Sequence, residues 1–113
     1  MICRVWHGWT ALSNADAYDH YLQRELFPHV ESELGPRGYL GYHLLRSAGG
    51  DEVEFVTMLW FESLDSVKGF AGENYAKPVI SDKAKGLLSR YDKRVSHYAL
   101  SGCSWPGFGR ERH

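Results

Sequence analysis

The chain is poor in charge of either sign in excess, in cysteine and in long apolar runs, and each shortage excludes a class of function. Thirteen Lys and Arg face fourteen Asp and Glu, a formal net charge of -1, and the two signs are interspersed. No basic stripe argues for a nucleic acid, and no Lys/Arg cluster argues for a membrane surface. No apolar stretch approaches the roughly 20 residues that a membrane span needs. Only Cys3 and Cys103 are present, near opposite ends and without a CxxC pair. Both are expected as free thiols in a reducing, cytoplasmic setting. Residues 1–6 lack a basic segment followed by an apolar run, so no secretory signal is expected. The turns Gly35-Pro36-Arg37-Gly38 and Ala48-Gly49-Gly50-Asp51 carry no Lys-Ser/Thr and precede no helix, which excludes a phosphate-binding loop. Neither Ser nor Cys occurs in a nucleophile elbow.

What the chain has in plenty is aromatic side chains. Four Trp, seven Tyr and five Phe in 113 residues point to a lined pocket or to an oligomer interface. The length fits one domain, expected over residues 1–101, followed by a tail over 102–113. Residues 2–9 are rich in β-branched and aromatic types and predict a first strand. Ser13 is a candidate N-cap for a helix whose apolar face carries Tyr18, Tyr21, Leu22, Leu26 and Val30. Pro28 lies inside that pattern and predicts a kink or a second segment. Residues 39–46 and 53–61 predict a hairpin closed by a Gly-containing turn. Ser63 caps a helix through Phe70, and Ser81 caps another through about Tyr91. Residues 93–100 form the last strand.

The order strand, helix, strand, strand, helix, strand is the split βαβ pattern. It predicts an α+β, ferredoxin-like fold, with a four-stranded antiparallel sheet in the order 4-1-3-2 and the helices on one face. Val56, Met58 and Trp60 point to one side of the third strand, and Phe55, Thr57, Leu59 and Phe61 to the other. Both sets are apolar, so both faces need cover. The expectation is a homodimer that packs two sheets together through the face bearing Phe55, Leu59 and Phe61.

At this point the chain resembles the antibiotic biosynthesis monooxygenase (ABM) family of the dimeric α+β barrel superfamily. The resembling stretches are Val5-Trp6-His7-Gly8-Trp9-Thr10, Glu54-Phe55-Val56-Thr57-Met58-Leu59-Trp60-Phe61, Ser63-Leu64-Asp65-Ser66-Val67, Phe70-Ala71-Gly72-Glu73 and Arg94-Val95-Ser96-His97-Tyr98. The resemblance implies a ligand pocket between sheet and helices, with Trp60 on its wall. His7 stands where the heme-degrading branch places a polar residue, usually Asn. That branch also needs a His after the third strand, and Tyr75-Ala76-Lys77-Pro78-Val79 has none. Val56 stands where the quinone-forming monooxygenases place an Asn.

The resemblance thus implies a monooxygenase or oxidase without cofactor, acting on a small hydrophobic, aromatic or polycyclic molecule. His7 and His97 are the candidate bases, because an imidazole titrates near working pH and a phenolate reacts with oxygen more readily than a phenol. Trp60, Tyr75, His43 and Met58 are the candidate substrate contacts, with Tyr75 in a loop over the pocket mouth. No HxH or HxxxH spacing marks a metal site. The competing readings are a non-catalytic binding protein, whose histidines are interface or core residues, and a heme protein. Trp105 and Phe108 in the tail are expected to cover an apolar surface of a partner subunit or of the pocket mouth.

Overall fold

The computed structural model describes residues 1–105. Strand β1 (Ile2–Ala11) runs at the centre of the sheet. A 3-10 turn (Leu12–Asn14) leads into a long helical arm. Ser13 falls inside this turn and does not cap the helix. The arm comprises α1 (Ala15–Tyr21), a π-helical turn (Leu22–Leu26) and α2 (Phe27–Leu34). Hairpin strands β2 (Tyr39–Gly49) and β3 (Glu52–Phe61) follow, then α3 (Leu64–Ala71) and α4 (Asp82–Leu87). Two short strands, β4 (Leu88–Tyr91) and β5 (Ser96–Ala99), end the fold.

All pairings are antiparallel, in the order β2-β3-β1, with β4 and β5 sharing the far edge of β1. The order 4-1-3-2 is thus realised with the fourth strand in two pieces. Residues 88–91, predicted as the end of a helix, are β4 instead. Gly86 weakens the short helix, and Leu88 then pairs with Thr10.

Local signals explain the other boundaries. The Ser63 and Ser81 hydroxyls accept the amides of Ser66 and Ala84, at 3.2 and 3.1 Å, as N-caps should. Pro28 sits in the first turn of α2, where its missing N–H costs nothing. The π-turn precedes it, and the amide of Phe27 reaches back to the carbonyl of Leu22. Gly38 turns the chain into β2 at φ 101°, a conformation that favours glycine.

The core lies between the sheet and the helices. Tyr18, Tyr21, Leu22, Phe27 and Val30 pack from the arm onto Val53, Phe55, Leu59 and Phe61, with Val67 and Ala84 from the later helices. Burying each of the larger side chains contributes about 1.5–3 kcal/mol. Arg46 reaches from β2 to Asp19 of α1 at 2.9 Å and lies 5.1 Å over the Phe55 ring.

This arrangement corrects the expected faces. Phe55, Leu59 and Phe61 are covered by the chain's own helices, at 0, 7 and 1% exposure. The face without helices carries Cys3, Val5, His7 and Trp9 of β1, together with Glu54, Val56, Met58 and Trp60 of β3. Among the described residues, no helix is long and apolar enough to cross a membrane.

Candidate functional site

A charged residue marks the helix side of the sheet. Alternation along β1 turns Arg4 toward the helices, where it is only 4% exposed. Its Nη1 donates to the carbonyl of Tyr75 and its Nη2 to the carbonyl of Lys77, at 2.5 and 3.2 Å. His97, opposite Arg4 in the β1–β5 register, lies with Nε2 3.1 Å from Nη1. A guanidinium only donates, so this Nε2 accepts and the imidazole is neutral with its proton on Nδ1. Burial and the Arg4 charge both hold the His97 pKa below its usual value. Burial lowers Arg4 to about 10, which leaves it cationic at neutral pH. Tyr75 meets the His97 ring edge-on at 5.1 Å, and Arg4 lies 5.4 Å from the centre of the Phe70 ring.

These contacts pin one end of a strap over residues 72–81. Arg4 holds the carbonyls on either side of Ala76, and the amide of Val95 donates to the Ala76 carbonyl at 2.7 Å. The other end is held by Ser81, whose hydroxyl is 2.6 Å from that of Tyr21. Beneath the strap lies a cavity of about 60 Å³. Its walls are Arg4, the π-turn leucines Leu22 and Leu26, Phe27, Leu59 and Phe70, and Pro78, Val79 and Ile80 roof it. π-turns of this kind recur at functional sites.

None of the six expected site residues lines this cavity. Tyr75 and His97 come together behind Arg4, one hydrogen bond away. His43, Met58 and Trp60 also come together, but on the open face. There the Trp60 indole donates to His43 Nδ1 at 2.9 Å, and the Trp105 ring lies tilted against the His43 ring at 5.8 Å. A groove of about 300 Å³ runs between these side chains and Leu100, Gly102 and Cys103. The tail thus meets an apolar surface of its own subunit through Trp105. Phe108 lies outside the described residues.

His7 stands apart, on the open face. Its Nδ1 is 2.6 Å from Glu54 Oε2, and its ring stacks on Trp9 at 6.2 Å. The candidate base His7 and the candidate substrate contact Trp60 do not meet. His7 is opposite Val56 and Trp60 is opposite Cys3, four residues and about 13 Å along the strand. Both also point away from the helices.

Arg4 is the residue that sequence reasoning missed. Its signal was a lone charge in the run Ile2-Cys3-Arg4-Val5-Trp6 of a central strand, where a cation needs a reason to be buried. Among the described residues, no group of three His, Cys, Asp or Glu is placed to hold a metal ion.

No family model and no curated protein sequence matches the chain. Solved structures do match in shape. A Bacillus cereus protein assigned to the antibiotic biosynthesis monooxygenases superposes with a TM-score of 0.60 at 11% identity, covering 92% of this chain and 96% of that one. The Mycobacterium tuberculosis heme degrader MhuD, seen with two hemes in its active site, superposes with a TM-score of 0.56 at 17% identity, covering 93% and 100%. The chain therefore has the ferredoxin-like α+β fold of the antibiotic biosynthesis monooxygenase structures.

Proposed function

We propose that the protein binds a small aromatic or polycyclic molecule under the strap and promotes its oxidation by dioxygen without a bound cofactor. The observation that carries this reading is the apolar cavity between sheet and helices, in the place implied by the family resemblance. In the simplest such reaction a ring CH2 becomes C=O, one oxygen atom enters the product and the other leaves as water. The protein's part is to exclude bulk water, to hold the ring flat against Leu59 and Phe70, and to favour the electron-rich ionised form. His97, held neutral, positions the guanidinium of Arg4 from behind.

The cavity is small for this task. An apolar cavity of about 150 Å³ is needed to hold a benzene ring. Ligand entry therefore requires residues 78–80 to lift between the pinned ends of the strap. Val79, 54% exposed, has little holding it down. Heme fits these residues poorly, because no histidine lines the cavity and His97 Nε2 is engaged by Arg4.

Oxygen uptake with anthrone and related electron-rich phenols is the direct test. Uptake above the buffer rate, abolished by filling the cavity with Leu22→Trp, supports the oxidase. Rates equal to buffer with every substrate, despite measurable binding, leave the non-catalytic binding protein. That second reading draws on the lack of any carboxylate or imidazole on the cavity wall.

The open sheet face is proposed as the seat of a second copy of the chain. Leu45 and Tyr98 are 52 and 59% exposed there, beside Val5, Val56 and Met58. Four strand spacings by about nine residues give roughly 600 Å² of face, near the ~800 Å² per partner of a stable pair. Sedimentation should show a dimer that Leu45→Glu weakens; a monomer at micromolar concentration removes the idea.

A further inference from the structure

We propose that the cavity takes an aromatic ligand bearing an anionic oxygen, a carboxylate or an ionised ring hydroxyl, and that Arg4 receives that oxygen. This rests on the pocket reading above and names its substrate class. The guanidinium is buried, yet its polar partners are all neutral: two backbone carbonyls and one imidazole. Among the described residues no carboxylate lies within ion-pair distance of it, and no acidic side chain lines the cavity.

A buried charge without a counter-charge is costly. Tying the strap to β1 accounts for only part of that cost, since carbonyls answer the cation with dipoles and not with a counter-charge. The arrangement leaves donors in hand. Of five N–H groups, three are engaged, and the Nε–H and one Nη2 hydrogen remain. Free donors on the planar fork can serve the two oxygens of a carboxylate or one phenolate oxygen. The rest of the wall is largely apolar, with Leu22, Phe27, Leu59 and Phe70 suiting a flat ring; Tyr18, Thr57 and Ser81 add hydroxyls, and Arg4 is its one charge. His97 completes the design. As a neutral acceptor it fixes the guanidinium plane without cancelling the positive charge.

The test is a set of binding titrations on the full chain, read by calorimetry, with 1-naphthoate, its neutral isostere 1-naphthamide and the coloured phenol 4-nitro-1-naphthol. A charge-assisted pair should favour naphthoate or the ionised naphthol over the amide by about ten- to a hundredfold. Preference for naphthoate assigns a carboxylate ligand. Preference for the ionised naphthol, seen as colour appearing at lower pH on binding, assigns a ring hydroxyl. Arg4→Met should erase the preference while keeping amide affinity within about threefold. If that variant does not fold, Arg4→Lys replaces it, and should keep the sign of the preference but bind naphthoate more weakly than wild type. Equal affinity of wild type for naphthoate, naphtholate and amide overturns the inference and leaves the aromatic pocket standing. A preference that survives in Arg4→Met places the anion elsewhere and overturns it too. Failure of all three probes to bind removes the pocket and the inference together.

Discussion

Replacing Phe55 with alanine tests the layer assignment on which the site depends. Phe55 sits at mid-strand in β3, fully buried, with the Tyr18 ring edge-on at 4.9 Å and the Arg46 guanidinium 5.1 Å over its face. Truncating a buried phenylalanine costs about 3–5 kcal/mol, through lost transfer energy and the void left behind. The ring contact with Tyr18 accounts for about 0.5–1.5 kcal/mol of that. A loss near 4 kcal/mol is large against the 5–15 kcal/mol that holds a domain together. With a urea slope of about 2 kcal/mol per molar, the unfolding midpoint should fall by roughly 2 M. Val56→Ala is the control: one residue on, on the open face and half-buried, it should cost about 1 kcal/mol. Urea unfolding followed by circular dichroism at several protein concentrations reads both. The reasoning fails if the two variants lose equal stability. It also fails if the Phe55 variant only weakens subunit association, shifting the midpoint with concentration while the subunit stays intact.

Three further outcomes are expected. Gly38→Ala should cost about 1–3 kcal/mol, because φ 101° is strained for alanine and an added Cβ would overlap the Ser66 hydroxyl; a thermal melt within a degree of wild type contradicts this. Of the two thiols, exposed Cys103 should react promptly with Ellman's reagent, while buried Cys3, its pKa raised to about 11 by desolvation, should react only after unfolding; two fast equivalents would refute the burial. His97, faced by Arg4 from β1 and Tyr75 from the strap, has its folded pKa held below the ordinary imidazole value of about 6.5 by burial and by the Arg4 charge. As pH falls through 6.5 the unfolded chain takes up a proton that the folded protein refuses, so stability drops toward acid and is restored above that value. Urea midpoints between pH 8 and 5 should therefore fall more for wild type than for His97→Gln, and parallel curves would refute the shift.

The strand order and two helix caps were legible because each rests on local chemistry. Ser63 and Ser81 announce their helices, and the hairpin shows in its β-branched run. The faces were harder. Phe55, Leu59 and Phe61 are no more apolar than Val56, Met58 and Trp60, so hydrophobicity along β3 does not choose between them. The acids do: Glu52 and Glu54 share the parity of Val56, Met58 and Trp60, and a carboxylate at mid-sheet belongs on the side without helices. The inverted face carried His7 and Trp60 away from the helix-side cavity with it. The helical arm was legible from Tyr18, Tyr21, Leu22, Leu26 and Val30, but periodicity passed over Phe27. The arm's buried residues step from Leu22 to Phe27, a spacing of five that no α-helical template contains.

That step of five also governs which lengths the arm tolerates. A π-turn is an α-helix carrying one residue too many, with the surplus absorbed locally. Deleting the exposed Arg24 would turn the Phe27-to-Leu22 hydrogen bond into an ordinary four-residue one. Leu22 and Phe27 would still share a face, and the arm would shorten by about 1.5 Å. The same deletion at Ser32 would rotate everything beyond it by about 100°. The arm is therefore most permissive to single-residue length changes at the turn that walls the cavity, so chains differing there by one residue would keep the fold while reshaping the space under the strap.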